Sequence, residues 1–218
     1  MEKEYLSFSE SGFHLPQEEV LEKTNNQKKL SIGIPKEILL QEKRVSLAPD
    51  SVALLVNHGH NVIIERGAGI SCSFLDIEYS EAGAQIVNDA KEVFESDIIL
   101  KVSPPNLEEL DMMKNGKTLI SSLQLKLQKK EYFQKLINKK TTAIAFDYIK
   151  DQESIFPVVR SMSEIAGNAS VLIAAECLSN FNGGKGLLLG GIAGVSTTNI
   201  LIIGAGTVGE FAARSAKA

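Results

Sequence analysis

The chain is poor in cysteine, has no apolar run long enough for a membrane span and carries no basic stripe. Each shortage excludes something. Cys72 and Cys177 lie far apart without CxxC or Cys/His spacing, so neither a disulfide framework nor a metal site is expected, and both read as reduced structural thiols. The apolar stretches 187–195 (LLLGGIAGV) and 200–208 (ILIIGAGTV) are interrupted by glycine and fall short of the roughly 18 to 20 residues that a span needs. Lys and Arg number 23 against 27 Asp and Glu, a net charge of −4, and Lys126, Lys129 and Lys130 form only a short local cluster. A nucleic-acid partner is therefore not expected. The first residues, Met1, Glu2, Lys3 and Glu4, do not form a basic region leading into an apolar one, so no secretory signal is read and the cytoplasm is the expected location. No Gly-X-Y period points to collagen, and 44% hydrophobic residues in 218 are too many for a disordered chain.

What is present is an alternation. Residues 1–30 are rich in Glu, Lys, Asn and Gln without apolar periodicity and read as a flexible polar extension. From 31 onward short β-type runs alternate with helical ones: strands at 31–35, 61–66, 97–102, 118–123 and 141–147, and helices at 49–59, 76–84 and 129–139. This predicts an α/β domain over 31–159 with a parallel, flavodoxin- or Rossmann-like sheet whose strands are apolar on both faces. The texture changes near Arg160. Residues 161–181 read as one long buried helix, with Ser161 or Ser163 as its cap and Glu164 completing an S-x-x-E capping box. A glycine-rich, turn-bearing connection follows at 182–199, and 199–218 read as a buried strand, a glycine turn and the first turns of a helix.

That turn is G-A-G-T-V-G, with Gly204, Gly206 and Gly209 in the GxGxxG spacing and Thr207 and Val208 between the second and third glycines. Following a strand and opening a helix, the pattern predicts dinucleotide binding. The first glycine permits the tight turn, the second lets the backbone approach a pyrophosphate and the third lets helix and strand pack closely. The acidic residue expected about 20 residues further on would lie beyond Ala218. The expectation is thus a piece of a longer protein, residues 160–218 being a linker helix and the start of a truncated Rossmann domain.

Three ordered segments, SIGIPKEILLQEKRVSLAPDSV, DIILKVSPP and FPVVRSMSEIAGNAS, together with the glycine turn, make residues from about 30 to 218 resemble the alanine dehydrogenase and pyridine nucleotide transhydrogenase alpha-subunit family, and alanine dehydrogenase more than transhydrogenase. The resemblance implies a substrate domain wrapped around a Rossmann domain, NAD as cofactor, a small-molecule substrate and a homo-oligomer. It also implies roles. Arg44 matches the arginine that grips the substrate carboxylate, which suits its planar fork. Lys101, closing the strand DIILKV, matches the lysine that contacts the substrate's carbonyl or carboxylate. Ser163 matches a serine that contacts the nicotinamide cofactor. Gln124 stands where the family's alanine dehydrogenases carry a general acid/base histidine. An amide orients a carbonyl or a water but exchanges no proton near neutral pH, at a cost of roughly two to four orders of magnitude in rate. His58 and His60 flank a glycine turn and His14 lies in the polar extension, so none is the expected replacement.

The implied activity is interconversion of L-alanine with pyruvate and ammonia: hydride leaves the alanine α-carbon, and the imine left behind is hydrolysed. Two alternatives remain open. A transhydrogenase alpha-like subunit exchanges hydride between two nicotinamides and needs no amino-acid base, and a non-catalytic nicotinamide-binding module keeps the fold without the histidine.

Overall fold

A computed structural model describes residues 29–217. The expected polar extension and His14 lie outside the described residues, apart from Lys29 and Leu30. Six strands form one sheet in the order β3-β2-β1-β4-β5-β6, and every neighbouring pair is parallel. The strands are β1 (Ser31–Ile34), β2 (Asn61–Glu65), β3 (Gln85–Val87), β4 (Ile98–Leu100), β5 (Thr118–Ser121) and β6 (Thr142–Ala145). The helices between them are α1 (Pro49–Asn57), α2 (Asp76–Glu81), α3 (Ala90–Phe94), α4 (Leu107–Met112) and α5 (Lys130–Asn138). This is the doubly wound order, in which the direction of winding reverses between β1 and β4.

Local chemistry explains the elements. Pro49 and Asp50 open α1, and Gly59 at φ +87° ends it, with its N–H and that of His60 donating to the Val56 and Leu55 carbonyls. The histidines serve this turn: His58 Nδ1 stands 2.7 Å from the Leu54 carbonyl oxygen, and His60 Nδ1 accepts from the Leu30 N–H. Asp89 caps α3, and Asn106 with Glu109 forms a reciprocal capping box on α4. Right-handed crossovers on either side of the reversal put the two helix groups on opposite faces. Val52 of α1 and Tyr79 of α2 pack with Ile34, Val62 and Ile64 on one side; Phe94, Leu110, Tyr132 and Leu136 of α3 to α5 pack with Ile99 and Leu119 on the other.

Beyond the sheet the structure corrects three expectations. The long helix, α6 (Pro157–Leu178), starts earlier than 161, with Phe156 in the cap position and no side-chain cap. Ser161 and Ser163 lie inside it, their hydroxyls donating to the Pro157 and Val159 carbonyls, while Glu164 pairs with Arg160 one turn back. The S-x-x-E spacing therefore lies a turn inside the helix, where the backbone N–H groups already have intrahelical acceptors, and caps nothing. Nor is α6 buried throughout: Gly167 is its only buried residue, and Ile165 and Leu172 are exposed. Finally, 200–203 is not a buried strand. No described strand pairs with it, Leu201 is 86% and Ile203 92% exposed, and an apolar sequence without a ladder partner has no reason to be β. The connection at 182–199 is irregular, as expected, and leads to α7 (Thr207–Lys217), which packs along α6.

Candidate functional site

The reversal between β1 and β4 opens a crevice at the carboxyl ends of the strands, where open α/β sheets bind ligands. Lys101 follows Leu100, the last residue of β4, and its backbone N–H still donates to the Ile120 carbonyl. Its side chain is fully buried. Nζ lies 3.1 Å from Glu37 and 3.0 Å from Glu109, both carboxylates being nearly buried themselves. Glu37, in the segment after β1, also accepts the Val102 N–H at 2.6 Å and the Ser103 hydroxyl. Glu109 is the capping-box carboxylate of α4, whose other oxygen accepts the Asn106 N–H. An ammonium held between two such carboxylates is a fixed cation rather than a lysine reaching for solvent. Its Nζ donates to Glu109 and pairs with Glu37, and the side chain keeps no exposed surface. Neither glutamate is singled out by the sequence reading, although the N-x-x-E spacing of 106–109 is the signal that places Glu109.

Arg44 lies in the segment joining β1 to α1. Glu42 grips one edge of its guanidinium, with Nε 2.8 Å and Nη2 2.7 Å from the two carboxylate oxygens. That bond holds the Glu42 carboxyl below the usual carboxylate range and pushes the guanidinium further up. The end-on edge, formed by Nη1 and the second N–H of Nη2, is not taken by Glu42; Nη1 stands 3.3 Å from the sulfur of Met162 on α6. A planar pair of donors on that edge matches a carboxylate.

Two cavities of about 320 Å³ each meet at these groups. Leu100, Lys101, Val102 and Ile120 line the first, Ser122, Asp147, Ser163 and Val208 line the second, and Arg44, Phe146, Val158 and Met162 line both. Arg44 and Lys101, paired in the sequence reading, are thus brought together. Gln124 is not. It lies beyond β5 in a turn closed by the Leu127 N–H on its carbonyl, at φ +46°, exposed, and outside the lining of both cavities. Ser122 and Asp147 do line the second cavity and escaped the sequence reading, because nothing in an isolated Ser or Asp at a strand end marks which cavity it borders.

The space beside the glycine turn is larger, about 750 Å³, bounded by α6 and 198–212. Ser163 and Val208 border both this space and the cavity that holds Arg44. The three glycines meet three different demands. Gly204 has φ +119°, a conformation side chains rarely adopt; a Cβ on Gly206 would meet nothing within 4 Å, leaving the backbone approachable; a Cβ on Gly209 would collide with the Gly204 carbonyl oxygen. Thr207 opens α7, so the turn leads into the positive end of a helix. These residues fit a dinucleotide pyrophosphate. Elsewhere, Cys72 donates its thiol to the Lys43 carbonyl and Cys177 is exposed, and no described helix is long and apolar enough to cross a membrane.

Comparison with known proteins gives the same outline. Residues 33–166 match the family model described as alanine dehydrogenase/PNT, N-terminal domain, and 170–218 match the corresponding C-terminal domain. Alanine dehydrogenase from Staphylococcus saprophyticus is 43% identical over 185 residues, 85% of this chain and 50% of that protein; the enzyme of that name from Methanococcus maripaludis is 41% identical over 186 residues, again half of its length. Among solved structures an L-alanine dehydrogenase superposes with a TM-score of 0.82 at 40% identity, covering 86% of this chain and 52% of its own. A transhydrogenase from Sinorhizobium meliloti superposes at 0.72 with 26% identity, covering 86% of this chain and 55% of its own. The chain therefore spans about half the length of the curated relatives it matches. With its doubly wound N-terminal sheet and the glycine turn that follows, the chain belongs to the alanine dehydrogenase/PNT family.

Proposed function

We propose that the protein is an NAD-dependent alanine dehydrogenase-type oxidoreductase interconverting L-alanine with pyruvate and ammonia, and that this chain carries the substrate side of the site and the cofactor's pyrophosphate turn. In this reading residues 31–159 are the substrate domain and 160–218 the linker helix and start of the Rossmann domain, a division that falls inside α6. The observation that carries the proposal is the joint cavity wall: Arg44 and Lys101 line one cavity at the sheet's reversal point, and Ser163 and Val208 join its neighbour to the space beside the glycine turn. Arg44 binds the carboxylate common to alanine and pyruvate. Lys101, held in place by Glu37 and Glu109, sets its charge behind the wall at the substrate's carbonyl and draws electron density from the carbon that gains or loses hydride. Gly204, Gly206, Thr207, Val208 and Gly209 hold the pyrophosphate, and Ser163 lies between that group and the substrate. NAD, when bound, supplies the hydride acceptor. The same reading makes the protein a cytoplasmic homo-oligomer.

By the family resemblance Gln124 corresponds to the acid/base histidine, an amide that exchanges no proton near neutral pH, although here it is exposed and outside the lining of both cavities. The test is oxidation of NADH with pyruvate and ammonium by the full-length product of the gene encoding this chain, beside its Gln124→His variant. We expect pyruvate- and ammonium-dependent turnover by the wild type and, because residue 124 lies outside the lining of both cavities, a change of less than about tenfold in the variant; a gain of about a hundredfold would mean that this side chain enters the site in the full-length protein. Silence of both while NADH still binds overturns the alanine reading. Gln124 favours the second reading in that event, hydride exchange between two nicotinamides, which requires no amino-acid base.

A further inference from the structure

Arg44 sits between β1 and α1 in a segment without regular structure, yet that segment is pinned on either side of it. The Glu42 N–H donates to the Leu39 carbonyl and the Cys72 thiol to the Lys43 carbonyl, while the Ser46 hydroxyl donates to the Leu100 carbonyl at the end of β4 and the Tyr79 hydroxyl of α2 to the Leu47 carbonyl. With the backbone fixed, what remains to be placed is a long side chain that is 56% exposed. Glu42 places it. Its Oε1 accepts the Arg44 backbone N–H at 3.0 Å and Nε at 2.8 Å, and its Oε2 accepts Nη2 at 2.7 Å. The carboxylate making these bonds is itself only 10% exposed and borders neither of the two cavities at the reversal point.

A carboxylate that grips the Nε edge of a guanidinium fixes the plane of the whole group, and with it the direction of the remaining end-on edge. Among the described residues that edge meets the Met162 sulfur, 3.3 Å from Nη1, a weak acceptor that a carboxylate displaces. We propose that Glu42 is a positioning residue, which acts through Arg44 by holding its two parallel donors in place before a carboxylate arrives. The inference rests on the alanine reading above, which gives Arg44 the substrate's carboxylate, and adds how that arginine is made ready. Two effects of Glu42 oppose each other. Its charge weakens the attraction of Arg44 for an anion, whereas its grip spares the ligand the cost of ordering a long side chain. A variant that keeps the charge and loses the grip separates them. Glu42→Asp does so, because an aspartate is one methylene shorter and does not span Nε and Nη2 while the backbone stays pinned.

The test takes pyruvate as the carboxylate, in steady-state turnover with NADH and ammonium by the full-length protein, for wild type, Glu42→Asp, Arg44→Lys and the double variant. The expected result for Glu42→Asp is a pyruvate KM raised about threefold to tenfold, the range for ordering one long side chain on binding, with kcat within about twofold and the urea midpoint unchanged. In the Arg44→Lys background, which has no second guanidinium edge to hold, the same substitution is expected to change KM by less than about twofold. An unchanged KM in Glu42→Asp, or equal effects in both backgrounds, overturns the assignment. Should Glu42→Asp not fold, Glu42→Gln in about 0.5 M salt, which screens the lost charge, is expected to raise KM alike, and an unchanged KM there overturns the assignment too. A wild type without pyruvate- and ammonium-dependent turnover overturns the alanine reading instead. The role of Glu42 is then decided on Arg44 itself, by labelling with an arginine-selective dicarbonyl and peptide mass spectrometry: faster labelling of Arg44 in Glu42→Asp supports it, and equal labelling overturns it.

Discussion

A lysine at the end of a strand is a common surface residue, and Lys101 shows how its neighbours turn it into something else. Its ammonium is buried between Glu37 from the segment after β1 and Glu109 from α4. Removing the cation leaves two nearly buried carboxylates side by side without a counter-ion. Lys101→Ala is therefore expected to destabilise the domain by about 3–5 kcal/mol, read as a lower urea midpoint with an unchanged slope. A midpoint shift of under about 1 kcal/mol would mean that the triad is solvated. Arg44 and Lys101 were legible as candidates because the motifs around them, KEILLQEKRVSLAP and DIILKV, are contiguous in sequence. Glu37, Glu109 and Asp147 were not, since each acquires its meaning from a residue that the sheet brings up from elsewhere in the chain.

At the scale of elements, the contact between α6 and α7 decides where the glycine turn sits relative to the substrate cavity. It is built on Gly167, the one buried residue of α6, where a Cβ would stand 2.6 Å from the Val208 carbonyl oxygen and 2.7 Å from the Phe211 Cβ. Even one methyl group there must push the helices apart. Gly167→Ala is expected to weaken NADH binding by the full-length protein about tenfold while the sheet's own unfolding midpoint is unchanged, the overpacking cost falling on the α6–α7 seam. Tight NADH binding by this variant would show that α7 is free to shift without harm. Strong apolar periodicity made β1, β2, β5, α1 and α5 readable. The equally short β4 and α2 were readable too, from the apolar run at 97–102 and the helical pattern at 76–84, whereas β3, α3 and α4 sit in stretches where no such pattern stands out, although Asn106 and Glu109 carried the capping signal that was read instead at Ser161 and Glu164.

For the whole molecule, the described chain divides into a closed sheet domain and an open apolar surface. Strands β1, β4 and β5 are paired on both edges and covered by helices on both faces, whereas 200–203 donates no backbone hydrogen bond to a described carbonyl and exposes its side chains. In the 218-residue chain, amide exchange followed by mass spectrometry should leave β4 and β5 protected to the level of global unfolding while 200–203 exchanges at nearly the unprotected rate. Equal protection of both would mean that 200–203 has found a strand partner. The sequence by itself determined the parallel α/β class, the family and the glycine turn, because hydrophobic period and GxGxxG spacing are local properties that one stretch of chain displays alone. Only the tertiary structure decided that Lys101 is clamped rather than free, that Gln124 stands outside the cavity, and that Asp147 shares a wall with Arg44. These are relations between distant residues, set by the reversal of winding between β1 and β4, and an apolar run such as ILII becomes a strand only when a second strand supplies its hydrogen bonds.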